Sequence, residues 1–141
     1  MDDHSPSELD QLKICSQRDV QRMWELLMQP LGFRSTSVWV TLIGPDDRPV
    51  RCLIEITDSE EVPEPREVAS LFEVLAQVLE DDGTSVAFLI SRPGRGSVNA
   101  FDREVAARLV AGARTAGVAC HPVHVANDLA VWAVTPDDLA A

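Results

Sequence analysis

Residues Val86 to Ile90, Val-Ala-Phe-Leu-Ile, form an apolar run with no polar alternation. Such a run suits a strand covered on both faces, so the chain is expected to fold around a central strand with helices packed on its sheet. Pro93, Gly94 and Gly96 then force a loop, and Asn99, with Asp102 three residues on, opens a helix. That helix carries Phe101, Val105, Leu109 and Ala113 on one stripe, with Arg103, Arg108 and Arg114 on a solvated face, and stops at Gly117.

The rest of the chain supplies the layers that such a strand needs. Ser16 with Asp19 resembles a capping pair, and Val20, Met23, Trp24 and Leu27 recur at helical spacing up to Pro30 and Gly32. Met23 and Trp24 read as core. Ser37 to Ile43 alternates and is rich in β-branched residues, Gly44-Pro45-Asp46-Asp47 has turn chemistry, and Val50, Cys52, Ile54 and Ile56 share one face of the next strand, which makes a hairpin. Glu55 faces away from that set, as a solvent-facing strand residue. The acidic stretch Asp58 to Glu64 leads into a helix with Pro65 and Glu67 in its first turn. Val68, Leu71, Phe72, Leu75, Val78 and Leu79 form its apolar stripe up to Asp81-Asp82-Gly83. At the end, Val118 to Ala126 and Leu129 to Val134 flank Asn127-Asp128, read as a two-residue turn that tolerates positive φ, so the chain closes in a second hairpin with Trp132 sealing the sheet.

Length and charge set the outer bounds. A chain of 141 residues, 45% hydrophobic and 25% charged, suits one domain with a real core, and no apolar run approaches the length of a membrane helix. Residues 1–15 are expected to be a flexible acidic arm, mobile or a frayed helix up to about Leu12, ahead of a domain spanning 16–141. The net charge of −11 opposes binding to nucleic-acid backbones, which demand a positive footprint. Cys15, Cys52 and Cys120 cannot all pair and have no zinc-ribbon or redox spacing. With an amino terminus unlike an export signal, this favours a reducing, cytoplasmic location.

Within this order of elements, the segment Ile90-Ser91-Arg92-Pro93, followed by a short loop and a helix opening with Asn99 and Asp102, resembles the RadC branch of the JAB/MPN metalloprotease-like families. In that branch a His-x-His-Pro-Ser-Gly turn and a Ser-x-x-Asp follow a strand. The resemblance implies an α/β domain with a mixed β-sheet flanked by α-helices, of RadC-like, cytidine-deaminase-like architecture with a C-terminal hairpin. Gly117-Val118 through Val125 extends it, similar in shape to the family's later Gly-Val…His-x-x-Val run. Ile90 and Arg92 stand where the metal-binding histidines would, and only Pro93 and Asp102 match. Catalytic zinc needs about three protein ligands and an open position, so a zinc peptidase is excluded, and neither a catalytic residue nor a cofactor is expected.

Other constellations are read against simpler alternatives. Cys120 and His124, four apart on a strand, are expected on one face with His121 on the other, too few ligands for structural zinc. The loop Ser91 to Ser97 could hold a phosphate or carboxylate through Arg92, Arg95, Ser97 and Asp102, or be a surface turn in which Arg92 pairs with Asp102 or another acid. No Gly-x-Ser-x-Gly elbow is present. The expected role is a non-catalytic protein-interaction or scaffold module with an unknown protein partner or a homodimer partner, no nucleic acid and no membrane. A small-anion or phosphate-ligand binding protein, or an enzyme, using the Arg92/Arg95 loop is the alternative.

Overall fold

The computed structural model describes residues 8–79 and 83–135; the side chains of Asp10 and Arg51 and the Asp81-Asp82 helix end lie outside that description. Its elements run α1 (Glu8–Gln11), α2 (Gln17–Leu27), β1 (Ser37–Ile43), β2 (Pro49–Ile56), α3 (Pro65–Ala76), β3 (Ser85–Ser91), α4 (Ala100–Ala116), β4 (His124–Ala126) and β5 (Val131–Ala133). The five strands form one sheet in the order β2-β1-β3-β4-β5. β1 is antiparallel to β2 and to β3, β3 is parallel to β4 across the α4 crossover, and β4 is antiparallel to β5, so the sheet is mixed.

Strand alternation sends neighbouring β3 side chains into two separate cores. Val86, Phe88 and Ile90 join Val38, Val40 and Leu42 of β1 in a core closed by α3 and α4. Ala87 and Leu89 instead meet Val20, Met23 and Trp24 of α2, with Ile43 and Ala126. Residues 86–90 are all fully buried. This is why their sequence carries no polar alternation. Removing a Leu- or Phe-sized side chain completely from water contributes about 1.5–3 kcal/mol.

Local chemistry fixes the helix ends. Ser16 caps α2 by accepting from the Asp19 amide. Asn99 Oδ1 accepts from the Asp102 amide at 2.9 Å, while Asp102 Oδ2 accepts from the Asn99 amide at 3.0 Å. This reciprocal pair satisfies two otherwise orphaned donors at the start of α4. At its other end Gly117 takes φ 73, and the Gly117 and Val118 amides turn back to the Arg114 and Ala113 carbonyls. Gly112 sets the contact between α3 and α4. A Cβ there would lie 2.3 Å from Val68 Cγ1 and 3.1 Å from Phe72 Cε2.

Several expectations change. Of residues 1–15, the first seven lie outside the description, but Glu8–Gln11 is helical and Ile14 is 4% exposed in the α2-side core. Val78 lies past the end of α3 and is half exposed, not part of its apolar stripe. The β4–β5 connection is four residues, 127–130, rather than two. Asn127 Oδ1 accepts from the Leu129 and Ala130 amides, and Asn127 N donates to the Ala130 carbonyl, so a side-chain-capped loop replaces the tight turn with positive φ.

Candidate functional site

The loop after β3 is organised by a buried ion pair. Arg92 leaves the strand on the α4 side of the sheet, two residues after Ile90, which is fully buried in the α3/α4 core. Its Nε donates to Asp102 Oδ1 at 2.9 Å and Oδ2 at 3.2 Å, and its NH2 to Oδ2 at 2.7 Å and to the Ser97 carbonyl at 3.1 Å. Asp102 is fully buried and Arg92 is 8% exposed. Hydrogen bonding to Asp102, opposed in part by burial, raises the Arg92 pKa above its ordinary value and keeps it charged. The side-on, two-point contact matches the guanidinium fork to the carboxylate. Ile90, Arg92 and Asp102 therefore share one face of the sheet, where a hydrocarbon and a closed ion pair fill the space.

Several backbone groups around this loop are also engaged, while the side chains of Arg95 and Ser97 are exposed. Asp128, from the β4–β5 loop, accepts from the Gly94 amide at 2.9 Å and the Phe33 amide at 3.0 Å. These two bonds, with the charge of Arg95, hold its carboxyl below the usual aspartate range. Asp128 N donates to the Gly94 carbonyl, and Asn127 Nδ2 donates to the Gly96 carbonyl. Ser91 Oγ accepts from Trp39 Nε1 at 2.8 Å. Arg92 and Asp102 thus come together, the Ser97 carbonyl joins them, and Arg95 lies toward Asp128. The Gly94 amide, one of the loop donors an anion would need, holds a carboxylate of the protein itself. Glu55 belongs to the opposite, α2 face, where it is exposed and accepts from Ser37 Oγ at 2.9 Å.

The histidine-rich segment departs from the expected geometry. Only His124 to Ala126 is strand, and residues 121–123 are irregular. This break shifts the alternation. Cys120 packs against the α3/α4 core, whereas His124 reaches Gln17 of α2, so the two lie on opposite sides of the sheet. Burial pushes the Cys120 thiol up to about 12 and lowers His124 to about 4. Neutral His124 donates through Nδ1 to the Pro122 carbonyl at 2.9 Å, leaving Nε2 to accept from Gln17 Nε2 at 3.4 Å. Among the described residues no group of three or more His, Cys, Asp or Glu side chains could hold a metal ion.

Sequence spacing gave no sign of the contact between Ser85 Oγ and His121 Nε2, at 2.7 Å. Asp47 lies close enough to oppose the lowering of the His121 pKa that burial causes. Acyl transfer also requires donors aimed at a developing oxyanion. The next amide, Val86 N, is committed to the Ala119 carbonyl, and the contact reads as a bond closing the end of β3.

A cleft of about 500 Å³ lies on the same side of the sheet as α3 and α4. Val38, Ile56, Leu71, Val105 and Leu109 line it, and Asp58, Glu61 and Glu67 stand among its lining residues. A second groove of similar volume, about 490 Å³, runs between α3 and α4 past Phe72, Arg108 and Gly112. No described helix is long and apolar enough to cross a membrane. No protein-family model matches the chain, and no curated protein matches it.

Proposed function

We propose that this domain is a non-catalytic protein-interaction module of the RadC-like JAB/MPN type, built on a hydrolase scaffold whose zinc site has become a structural ion pair. The observation that carries the reading is the Arg92–Asp102 contact, in which the matching aspartate is held by a guanidinium. Ile90 and Arg92 share one face, as two ligands to a single ion would need to. The order of elements supports the scaffold: helix, hairpin, helix, strand, loop, capped helix and closing hairpin. Arg92 cannot donate a lone pair, and its charge repels a dication.

Restoration of the ligands tests this reading. The double variant Ile90→His/Arg92→His, which retains Asp102, should bind one equivalent of zinc or cobalt(II), with tetrahedral cobalt absorption and increased thermal stability. The unaltered protein, prepared without chelators, should contain no stoichiometric metal. Zinc in the unaltered protein, or a folded double variant that binds none, overturns the proposal.

A further inference from the structure

We infer that the cleft between α3 and the 57–63 loop is the docking site for a basic segment of a partner protein that inserts one or two large apolar side chains. The inference rests on the interaction-module reading and names the surface and the partner chemistry. Two independent properties of the cleft meet here.

The first is its apolar floor. Val38, Ile56, Leu71, Val105 and Leu109 line a space of about 500 Å³, and Val74 stands at the margin with 59% of its surface exposed. A volume of this size accommodates bulky side chains. Its walls are held in place: Ser59 donates to the Thr36 and Ile56 carbonyls at 2.9 Å each, and Arg108 donates to the Pro63 carbonyl at 2.8 Å. A preformed cleft costs less ordering on binding.

The second is the sign of the rim. Residues 58–67 carry five carboxylates and one guanidinium, Arg66, which pairs with Glu64 at 3.0 Å. Asp58, Glu60 and Glu61 are exposed and form no ion pair among the described residues. With Arg66 in the rim and Arg108 at the Pro63 carbonyl both counted, the rim remains net negative, and that charge selects lysine and arginine beside the inserted residue. It repels the acidic chain ends, Met-Asp-Asp-His and Pro-Asp-Asp-Leu, which are therefore poor occupants. The groove past Phe72 and Gly112 has Glu73 and Arg108 on its margins and carries no such bias.

The test uses the full chain and a fluorescein-labelled peptide, Gly-Lys-Arg-Leu-Trp-Arg-Lys, read by anisotropy and by amide shifts of the ¹⁵N-labelled protein. One control peptide replaces every Lys and Arg with Glu, and the other replaces Leu-Trp with Ser-Ser. The first peptide should bind at least about tenfold tighter than either control, lose affinity as salt rises, and shift residues of the 57–63 loop and the Val74 face of α3. Asp58→Asn/Glu61→Lys and, separately, Val74→Glu should each weaken it about tenfold. The asparagine preserves a residue type that tolerates the φ of 56 at position 58. Equal binding of all three peptides, no binding, or indifference to these variants overturns the inference. A dimer of the chain that Val74→Glu disperses also overturns it, because a second copy would then fill the cleft. Each of these results leaves the metal-loss reading standing. Stoichiometric zinc in the unaltered protein removes that reading whatever the peptides do.

Discussion

Asp102 accepts from Arg92 and from the Asn99 amide through the same carboxylate, so one buried side chain both caps α4 and anchors the preceding loop. Asp102→Ala should therefore leave a guanidinium without its partner and a helix start without half of its cap. Breaking a buried pair from one side costs about 3–5 kcal/mol. Urea unfolding should show a loss of that size. Arg92→Met/Asp102→Leu should lose markedly less than the sum of the two single substitutions, with a coupling that a double-mutant cycle reads directly.

Gly112→Ala should be destabilising, although alanine ordinarily favours a helix by about 1 kcal/mol over glycine. The new methyl group would collide with Val68 Cγ1 and crowd Phe72. Overpacking of this kind costs about 1–3 kcal/mol. Thermal unfolding of Gly112→Ala alone and combined with Val68→Ala distinguishes the cause: the second change should recover part of the loss by making room.

Acid should weaken the fold through His124. Its folded pKa, about 4, lies below the ordinary histidine value of 6.5 because burial disfavours the imidazolium. Between those two values the unfolded chain takes up a proton that the folded chain refuses, so the contribution is complete above about pH 6.5 and is lost as pH falls toward 4. At 1.36 kcal/mol per unit the loss is about 3 kcal/mol. His121 is lowered by burial as well and adds in the same direction. Stability measured against pH should slope less steeply across this window in His124→Gln than in the parent, whatever their absolute difference.

Thiol labelling should follow exposure and acidity. Cys15 is exposed, whereas Cys120 is half-buried and its thiol is pushed up to about 12. At pH 7.5 the thiolate, which is the reacting form, is therefore scarce at Cys120. Ellman's reagent on the folded protein should modify Cys15 first and Cys120 only on unfolding, which mass spectrometry of the digested product would assign.

Asp128→Ala should free the two loops that its carboxylate ties together. Amide exchange at Phe33 and Gly94 should quicken, while amides in the middle of β3 keep their protection. Unchanged exchange at both positions would contradict the clamp.

Much of this fold was legible because its signals are local. Ser16 with Asp19, Asn99 with Asp102, and Gly117 each mark a helix end through a contact only a few residues long. The unbroken apolarity of Val86 to Ile90 reports a strand covered on both faces. The alternation of Ser37 to Ile43 does not report β1, which is also buried on both faces, its polar Ser37 and Thr41 included. The Arg92–Asp102 pairing was one of two open readings, but its burial was not, since that depends on how α4 seats against β3. Asp128 binds amides 95 and 34 residues away, distances over which periodicity is silent. The sides taken by Cys120 and His124 were misassigned because alternation was carried through a segment that is not strand. The acidic run was visible in the sequence, but the apolar cleft beneath it is assembled from four elements and a loop.

β3 contributes small Ala87 to the chamber containing Trp24 and larger Phe88 to the one containing Phe72. Phe72 and Phe88 meet edge to face, with ring centroids 5.8 Å apart. A slip of one residue would exchange every tenant of the two rooms at once, thrusting an aromatic ring at the tryptophan and leaving a hollow beside Phe72. The alignment of the whole sheet is thus enforced by mismatched sizes, and no hydrogen bond need be singled out as its keeper.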